Sequence, residues 1–437
     1  MFENGASNKV FYYGQAGTGA TFDINYRLDF KNQLDKKALS DAVSEALKLF
    51  PEFAVRPVIK DNRIFYEENH DPAPVIDEGK TVCFGSDDTN GYLFCLQCSG
   101  NSAKVSYYHG MSDTVGFFRF MRSFLYFYAV KIGMEMPDDA EASTRLGIRI
   151  REKDKPDLGR QDTIDPYRCF MNEAGDPEYE YANPGAFVIP EPAYDGDDNK
   201  YRVFDLEMSV KEFLGKTKEY GVSFIPLLAS VTSKAIAECY DTKGKPVIAM
   251  VPVNLRTGFE TSTVVNMSDG IMMPMDDEMS SLSVTDRSVK LKEFMKKQMT
   301  KENYCKIMRN KVKALEGLEA KGDIIKTSFE GTRLAPPDAW RPLTYALTYP
   351  GKLDLPAEYD GLLDYIYNGP LARAFCLIVA TYADSMQVKI VQRFDSQVVA
   401  NRIKDGFAGL GLNVSMTDRG IVTNNLMLLE RLKKCAE

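Results

Sequence analysis

The stretch SYYHGMSDTVGFF, residues 106–118, sets a histidine, a serine and an aspartate between two aromatic runs. His109 is one of only two histidines in the chain. A neutral imidazole accepts a proton near neutral pH, so these residue types suit general base catalysis, a serine triad or a metal site. The triad fails on order. GMSDT, residues 110–114, lacks the last glycine of a G-x-S-x-G elbow, and no histidine follows the serine. A metal site fails on number, because catalytic zinc takes two or three histidines. His70, in EENHDPAP, reads as a turn residue. The glycine-rich pieces GQAGTGA and GFAGLGLN do not complete a dinucleotide fingerprint. General base chemistry remains, with proton transfer from a hydroxyl or amine as it attacks a carbonyl. An inert core or turn histidine is the plain alternative.

A base must be held in one rotamer and one tautomer, and the flanking sequence supplies elements for that. Residues 90–110, NGYLFCLQCSGNSAKVSYYHG, read as a hairpin about the turn cluster SGNS. Its second strand delivers His109, and a helix over about 114–131 follows. Asp113 suits the N-cap of that helix or a pairing with a cation. Apolar residues at 39, 42, 43, 46, 47 and 50 predict an amphipathic helix that stops at Pro51. Residues 151–200 hold six prolines and four glycines, which reads as an irregular crossover. Beyond it, Ser209 and Glu212 form a capping-box pattern, residues 223–240 predict an apolar helix, and 245–256 predict a buried strand. Near the end, residues 372–412 repeat the order hairpin, Asp-Ser turn, helix. This reads as a weak internal duplication, with a histidine in the first copy alone. Two similar α/β halves leave a cleft between them, where ligands commonly bind.

Composition narrows the classes. The 437 residues suffice for a large core, and 44% apolar with 27% charged fits a globular chain. Lys+Arg of 54 against Asp+Glu of 62 gives −8, a poor balance for nucleic acid. It leaves room for a local cationic pocket that takes a phosphorylated ligand. The N-terminus shows no leader pattern. The most apolar run, FFRFMRSFLYFYAVKIG, is broken by Arg119, Arg122 and Lys131 and reads as a buried helix, not a membrane span. The cysteines are scattered, and Cys95-x-x-Cys98 has no second pair, so reduced, structural cysteines in a cytoplasmic protein are expected.

YHGMSDT resembles the HHxxxDG signature of the chloramphenicol acetyltransferase, condensation-domain and BAHD acyltransferase superfamily. The context is similar too. LDKKALSDAVSEALKLFPEFAVRPV resembles the opening helix and following strand. VPVNLR, residues 251–256, resembles a segment of the second half, and LTYPGKLDLP, residues 347–356, a later strand and loop. The resemblance spans nearly the whole chain and is nearest the bacterial alcohol acetyltransferase-like branch. The DFGWG segment of the plant branch is absent. The chain departs from the signature at Tyr108, in place of the first histidine, and Thr114, in place of the glycine.

The resemblance implies an α/β fold of two similar halves, residues 1–175 and 176–437. Each is a mixed sheet with packed helices, and an active-site tunnel runs between them. It implies an acyltransferase that moves an acyl group from acyl-CoA, a co-substrate, to a small alcohol or amine, with no tightly bound cofactor and no metal. His109 is then the general base, and Asp113 is structural and pairs with Arg256. The oxyanion would need donors, for which Asn266 and Thr348 are candidates. Condensation on carrier-protein thioesters is the alternative enzyme, although the sequence shows no carrier-attachment segment. An inactive ligand-binding relative is the other alternative.

Overall fold

The computed structural model describes residues 2–18, 23–61, 63–79, 82–137, 139–157, 161–182, 184–192, 200–320, 343–349, 355–368 and 375–423. The chain opens with β1 (Phe2–Glu3), α1 (Ala6–Thr18), β2 (Asp23–Phe30) and α2 (Lys36–Leu49). Then come β3 (Val55–Lys60), β4 (Arg63–Glu68), β5 (Val75–Asp77), β6 (Phe94–Ser99), β7 (Ser102–Tyr108) and α3 (Thr114–Lys131). An irregular crossover with short helical turns leads to β8 (Lys200–Ser209), α4 (Val210–Glu219), α5 (Phe224–Cys239), β9 (Val247–Asn254) and β10 (Ser268–Met275). The remainder is α6 (Val284–Gln298), α7 (Lys301–Glu319), β11 (Tyr345–Thr348), β12 (Leu363–Asn368), β13 (Phe375–Tyr382), β14 (Ser385–Gln392), α8 (Val398–Ala408) and β15 (Ser415–Thr423).

Local chemistry explains the elements that matter most. The Asp35 carboxylate caps α2 by accepting from the Ala38 amide at 2.9 Å, and Leu39, Ala42, Val43, Ala46 and Leu47 are buried as the periodicity requires. The β6–β7 hairpin turns at Gly100, whose φ of +58° suits glycine. The aromatic residues of α3 are core. Phe117 stacks on Tyr107 with ring centroids 3.8 Å apart, and Phe120 packs edge-on against Phe53 and Phe94.

The first half is built on a mixed five-stranded sheet of order β12-β2-β7-β6-β5, with a smaller sheet β1-β4-β3 beside it. The second half is a mixed seven-stranded sheet of order β10-β9-β11-β13-β14-β8-β15, with β11 parallel to both its neighbours. There α5 packs against α6, α8 and β9. The duplication is visible: the β13–β14 hairpin feeds α8 as β6–β7 feeds α3. One strand comes from far along the sequence. β12 lies late in sequence, yet it pairs antiparallel with β2 and closes that edge of the first sheet. Among the described residues, no single helix is long and apolar enough to cross a membrane.

Candidate active site

β7 ends at Tyr108, and alternation along the strand sorts its last residues. Tyr107 faces α3. Tyr108 faces α1, packing edge-on to Tyr12 with ring centroids 4.8 Å apart. His109 follows, half-buried, and its Nδ1 lies 3.2 Å from the Ser112 carbonyl oxygen. A carbonyl oxygen only accepts, so this contact places the proton on Nδ1 and makes Nε2 the basic nitrogen. The Phe11 ring of α1 stacks on the imidazole at 4.0 Å and 21°. Ser112 is no nucleophile for this histidine. Its buried hydroxyl donates to the carbonyl of Val264 at 2.5 Å, and the Asp113 carbonyl lies 3.0 Å from the same oxygen.

Asp113 both caps α3 and pairs with the second half. One carboxylate oxygen accepts from the Gly116 amide at 2.9 Å. The other accepts from Arg256 Nη1 at 2.8 Å and the Met267 amide at 2.7 Å. Both charged side chains are about 5% exposed, so the pair is buried. Burial pushes the Asp113 carboxyl up. The Arg256 charge and hydrogen bond, with the two amides, outweigh burial and hold it below the usual carboxylate range. Arg256 also donates to the carbonyls of Thr263 and Val265 and to Asn254 Oδ1 at 3.2 Å, so four of its five protons are engaged.

The second half grips the histidine turn through residues 263–267. Gly116 admits this contact, since a Cβ there would lie 2.0 Å from the Val264 carbonyl oxygen. Asn266, expected as an oxyanion donor, does something else. Its amide nitrogen donates to the His109 carbonyl at 2.6 Å and to Asn8 Oδ1 at 2.8 Å. Both amide hydrogens are therefore engaged, and Asn266 brackets the histidine backbone. Thr348 ends β11, in register with Ile378 of β13.

Sequence reasoning missed α1. One face of that helix supports three consecutive residues of the turn. Asn8 reaches His109 through Asn266, and Phe11 covers the imidazole ring. The Tyr12 hydroxyl lies 3.1 Å from that of Tyr66, which donates to the Gly110 carbonyl at 3.0 Å. Burial pushes the Tyr12, Tyr66 and Tyr108 phenols up, so all stay protonated. The i, i+3, i+4 spacing of Asn8, Phe11 and Tyr12 is the one signal in the sequence.

The two departures from the signature have physical readings. Thr114 begins α3 without a positive φ, so the turn does not need glycine. Its hydroxyl lies 3.2 Å from the Tyr26 phenol and 3.4 Å from that of Tyr107. Tyr108 is 1% exposed, and its hydroxyl has no hydrogen-bond partner among the described residues. A buried hydroxyl without a partner costs about 1–3 kcal/mol. Tyr108→Phe is therefore expected to raise stability by about 1 kcal/mol in denaturant titration. A loss of stability would show that the hydroxyl has a partner in solution.

The other sequence candidates lie apart from the turn. The His70 side chain is 78% exposed, 3.7 Å from the Glu68 carboxylate. Burial pushes the Cys95 thiol up to about 12 and Cys98 to about 11, which keeps both protonated and unreactive. Cys95, Cys98, Cys239 and Cys305 are free thiols; Cys435 lies outside the described residues. No group of three or more His, Cys, Asp or Glu among the described residues is placed to hold a metal.

No protein-family model and no curated protein matches the chain. Solved structures do. Polyketide synthase associated protein 5 from Mycobacterium tuberculosis is similar over 92% of this chain and 95% of its own, at 15% identity and a TM-score of 0.56. The starter condensation domain of rhizomide synthetase RzmA, as a single-site mutant in complex with C8-CoA, matches over 94% of each chain at 13% identity and TM-score 0.60. The epimerization domain from the third module of tyrocidine synthetase B matches over 94% of this chain and 97% of its own, at 12% identity and TM-score 0.54. At such identities the likeness shows the fold: the two-lobed architecture of condensation domains, over nearly the whole chain.

Proposed function

We propose that this condensation-type fold transfers an acyl group from a thioester, acyl-CoA, to an alcohol or amine, with His109 as general base. The observation that carries the reading is the hold on His109. At the seam between the halves, the Ser112 carbonyl sets the tautomer, and Phe11 and Asn266 set ring and backbone. The acceptor O–H or N–H gives its proton to Nε2 as the oxygen or nitrogen attacks the thioester carbonyl. The carbonyl electrons move onto oxygen, giving a tetrahedral oxyanion. Its collapse breaks the carbon–sulfur bond, and the imidazolium returns the proton to the leaving thiolate. Asp113 and Arg256 take no part in these transfers; they hold the turn to the second half. Thr348 is kept as a proposed oxyanion donor, and the division at residue 175 as the proposed boundary between halves.

The likeness to a starter condensation domain with C8-CoA favours coenzyme A as carrier of the acyl group. Transfer from carrier-protein thioesters is the second reading, favoured by the likeness to condensation and epimerization domains of peptide synthetases. The test is thiol release. Purified protein is offered acetyl-, butyryl- and longer acyl-CoAs against pooled alcohols and amines. Free thiol that appears only with acceptor present supports the reading. Failure with every pair, alongside release from an acyl-carrier protein, moves the assignment to the second reading.

A further inference from the structure

Two arginines of α3 have no carboxylate in ion-pair contact among the described residues. Near the start of that helix Arg119 feels three other guanidinium groups, Arg256, Arg149 and Arg122, and one carboxylate, Asp113, which is already paired with Arg256. Two of the four have carboxylate partners. Arg256 pairs with Asp113, and Arg149 makes a bidentate bond to Glu52 at 2.9 and 3.0 Å. Arg119 donates to the Ser262 carbonyl at 2.8 Å and meets no carboxylate among the described residues. Arg122 meets none either, and its buried Nε has no hydrogen-bond partner among the described residues. Glu358, beside the Tyr359 that touches Arg122, pairs with Arg145. Burial is the leading cause that holds both Arg119 and Arg122 below the usual guanidinium range. A half-buried cation without a counter-charge is costly to keep, and it is the feature that an anionic ligand relieves.

Their placement has a direction. The first turns of α3 are buried except for Thr114, Val115, Arg119 and Arg122. Val115, Arg119 and Arg122 are spaced i, i+4 and i+7, so they form one stripe. Its flanks come from the second half. Ser262 touches Arg119, and the Tyr359 hydroxyl donates to the Arg122 carbonyl at 2.9 Å. The stripe therefore follows the seam away from the histidine turn. Arg122 is nine residues beyond Asp113, about 14 Å along the helix axis. Coenzyme A has the same polarity: a thioester at one end, and a diphosphate at the far end of a flexible arm. Two guanidinium groups suit a diphosphate better than the single phosphodiester of a carrier-bound arm.

We propose that Arg119 and Arg122 bind the diphosphate of the coenzyme A donor. This rests on the acyl-transfer reading above. The test compares two donors that share an acyl group: acyl-CoA, and the acyl thioester of N-acetylcysteamine, which has no phosphate. The parent is expected to prefer acyl-CoA in kcat/KM. Each of Arg119→Gln and Arg122→Gln should reduce that preference about tenfold, through KM, and the double variant should reduce it further. Arg119→Lys should recover part of it. Calorimetry with free coenzyme A and with phosphate-free pantetheine should show the same collapse, and the parent's preference for coenzyme A should weaken with salt. Matching melting curves establish that the variants are folded.

A double variant that keeps the parent's donor preference overturns the proposal. So does a parent that binds coenzyme A no better than pantetheine. A parent inactive on both donors removes the transfer reading alone, and the binding arm then decides the arginines: preference for coenzyme A lost in the double variant keeps the site, and preference retained removes it.

Discussion

His109→Ala is expected to lower turnover by roughly two to four orders of magnitude, the usual contribution of a positioned general base. The fold should survive. His109 is half-buried, and its ring packs against Phe11 in a stack worth about 1 kcal/mol. The loss should fall on kcat, because the imidazole acts on the acceptor's proton in the transition state. The parent's rate should rise with pH as the imidazole loses its proton, and the variant should lack that limb. Single-turnover rates across pH check both points. An Ala variant with full transferase activity would end the assignment of His109 as base.

Asp113→Ala should instead act on folding, with a loss of about 3–5 kcal/mol, because it leaves the Arg256 guanidinium buried and unpaired. It also removes the acceptor for the Gly116 and Met267 amides. The pH dependence has a fixed sign. The folded carboxyl sits below its unfolded value, so its stabilisation is present above the unfolded value and is lost as pH falls through the folded one. The parent should weaken toward acid over that window, and the variant should lack this component. Denaturant titrations at several pH values measure both. A variant that unfolds like the parent and loses only rate would show that Asp113 acts on chemistry.

The helices α2 and α3 and the β6–β7 hairpin were legible because their signals are local: an Asp cap, an apolar stripe, a turn cluster. The Asp113–Arg256 contact was legible through motif resemblance, and the structure brings the two together. What holds the histidine was not. The group that sets its tautomer is the Ser112 carbonyl, and every residue carries a carbonyl. Phe11 and Asn8 lie far upstream, with nothing in composition to mark them. Asn266 was singled out as a donor, but which oxygen it faces is a tertiary matter, and the Asn8 side chain and the His109 carbonyl take its hydrogens. The pairing of β12 with β2 was equally hidden, since no local pattern encodes a partner at the other end of the chain.

That pairing bears on how the chain is made. During synthesis β2 leaves the ribosome early, and β12 emerges only when most of the polypeptide is out. Until then the nascent first sheet carries an open row of amide and carbonyl groups on β2, a template for any passing strand. Closing it links residues far apart in sequence, a slow event that comes late in folding. The first sheet thus becomes complete only with a strand that lies about 330 residues further along the chain.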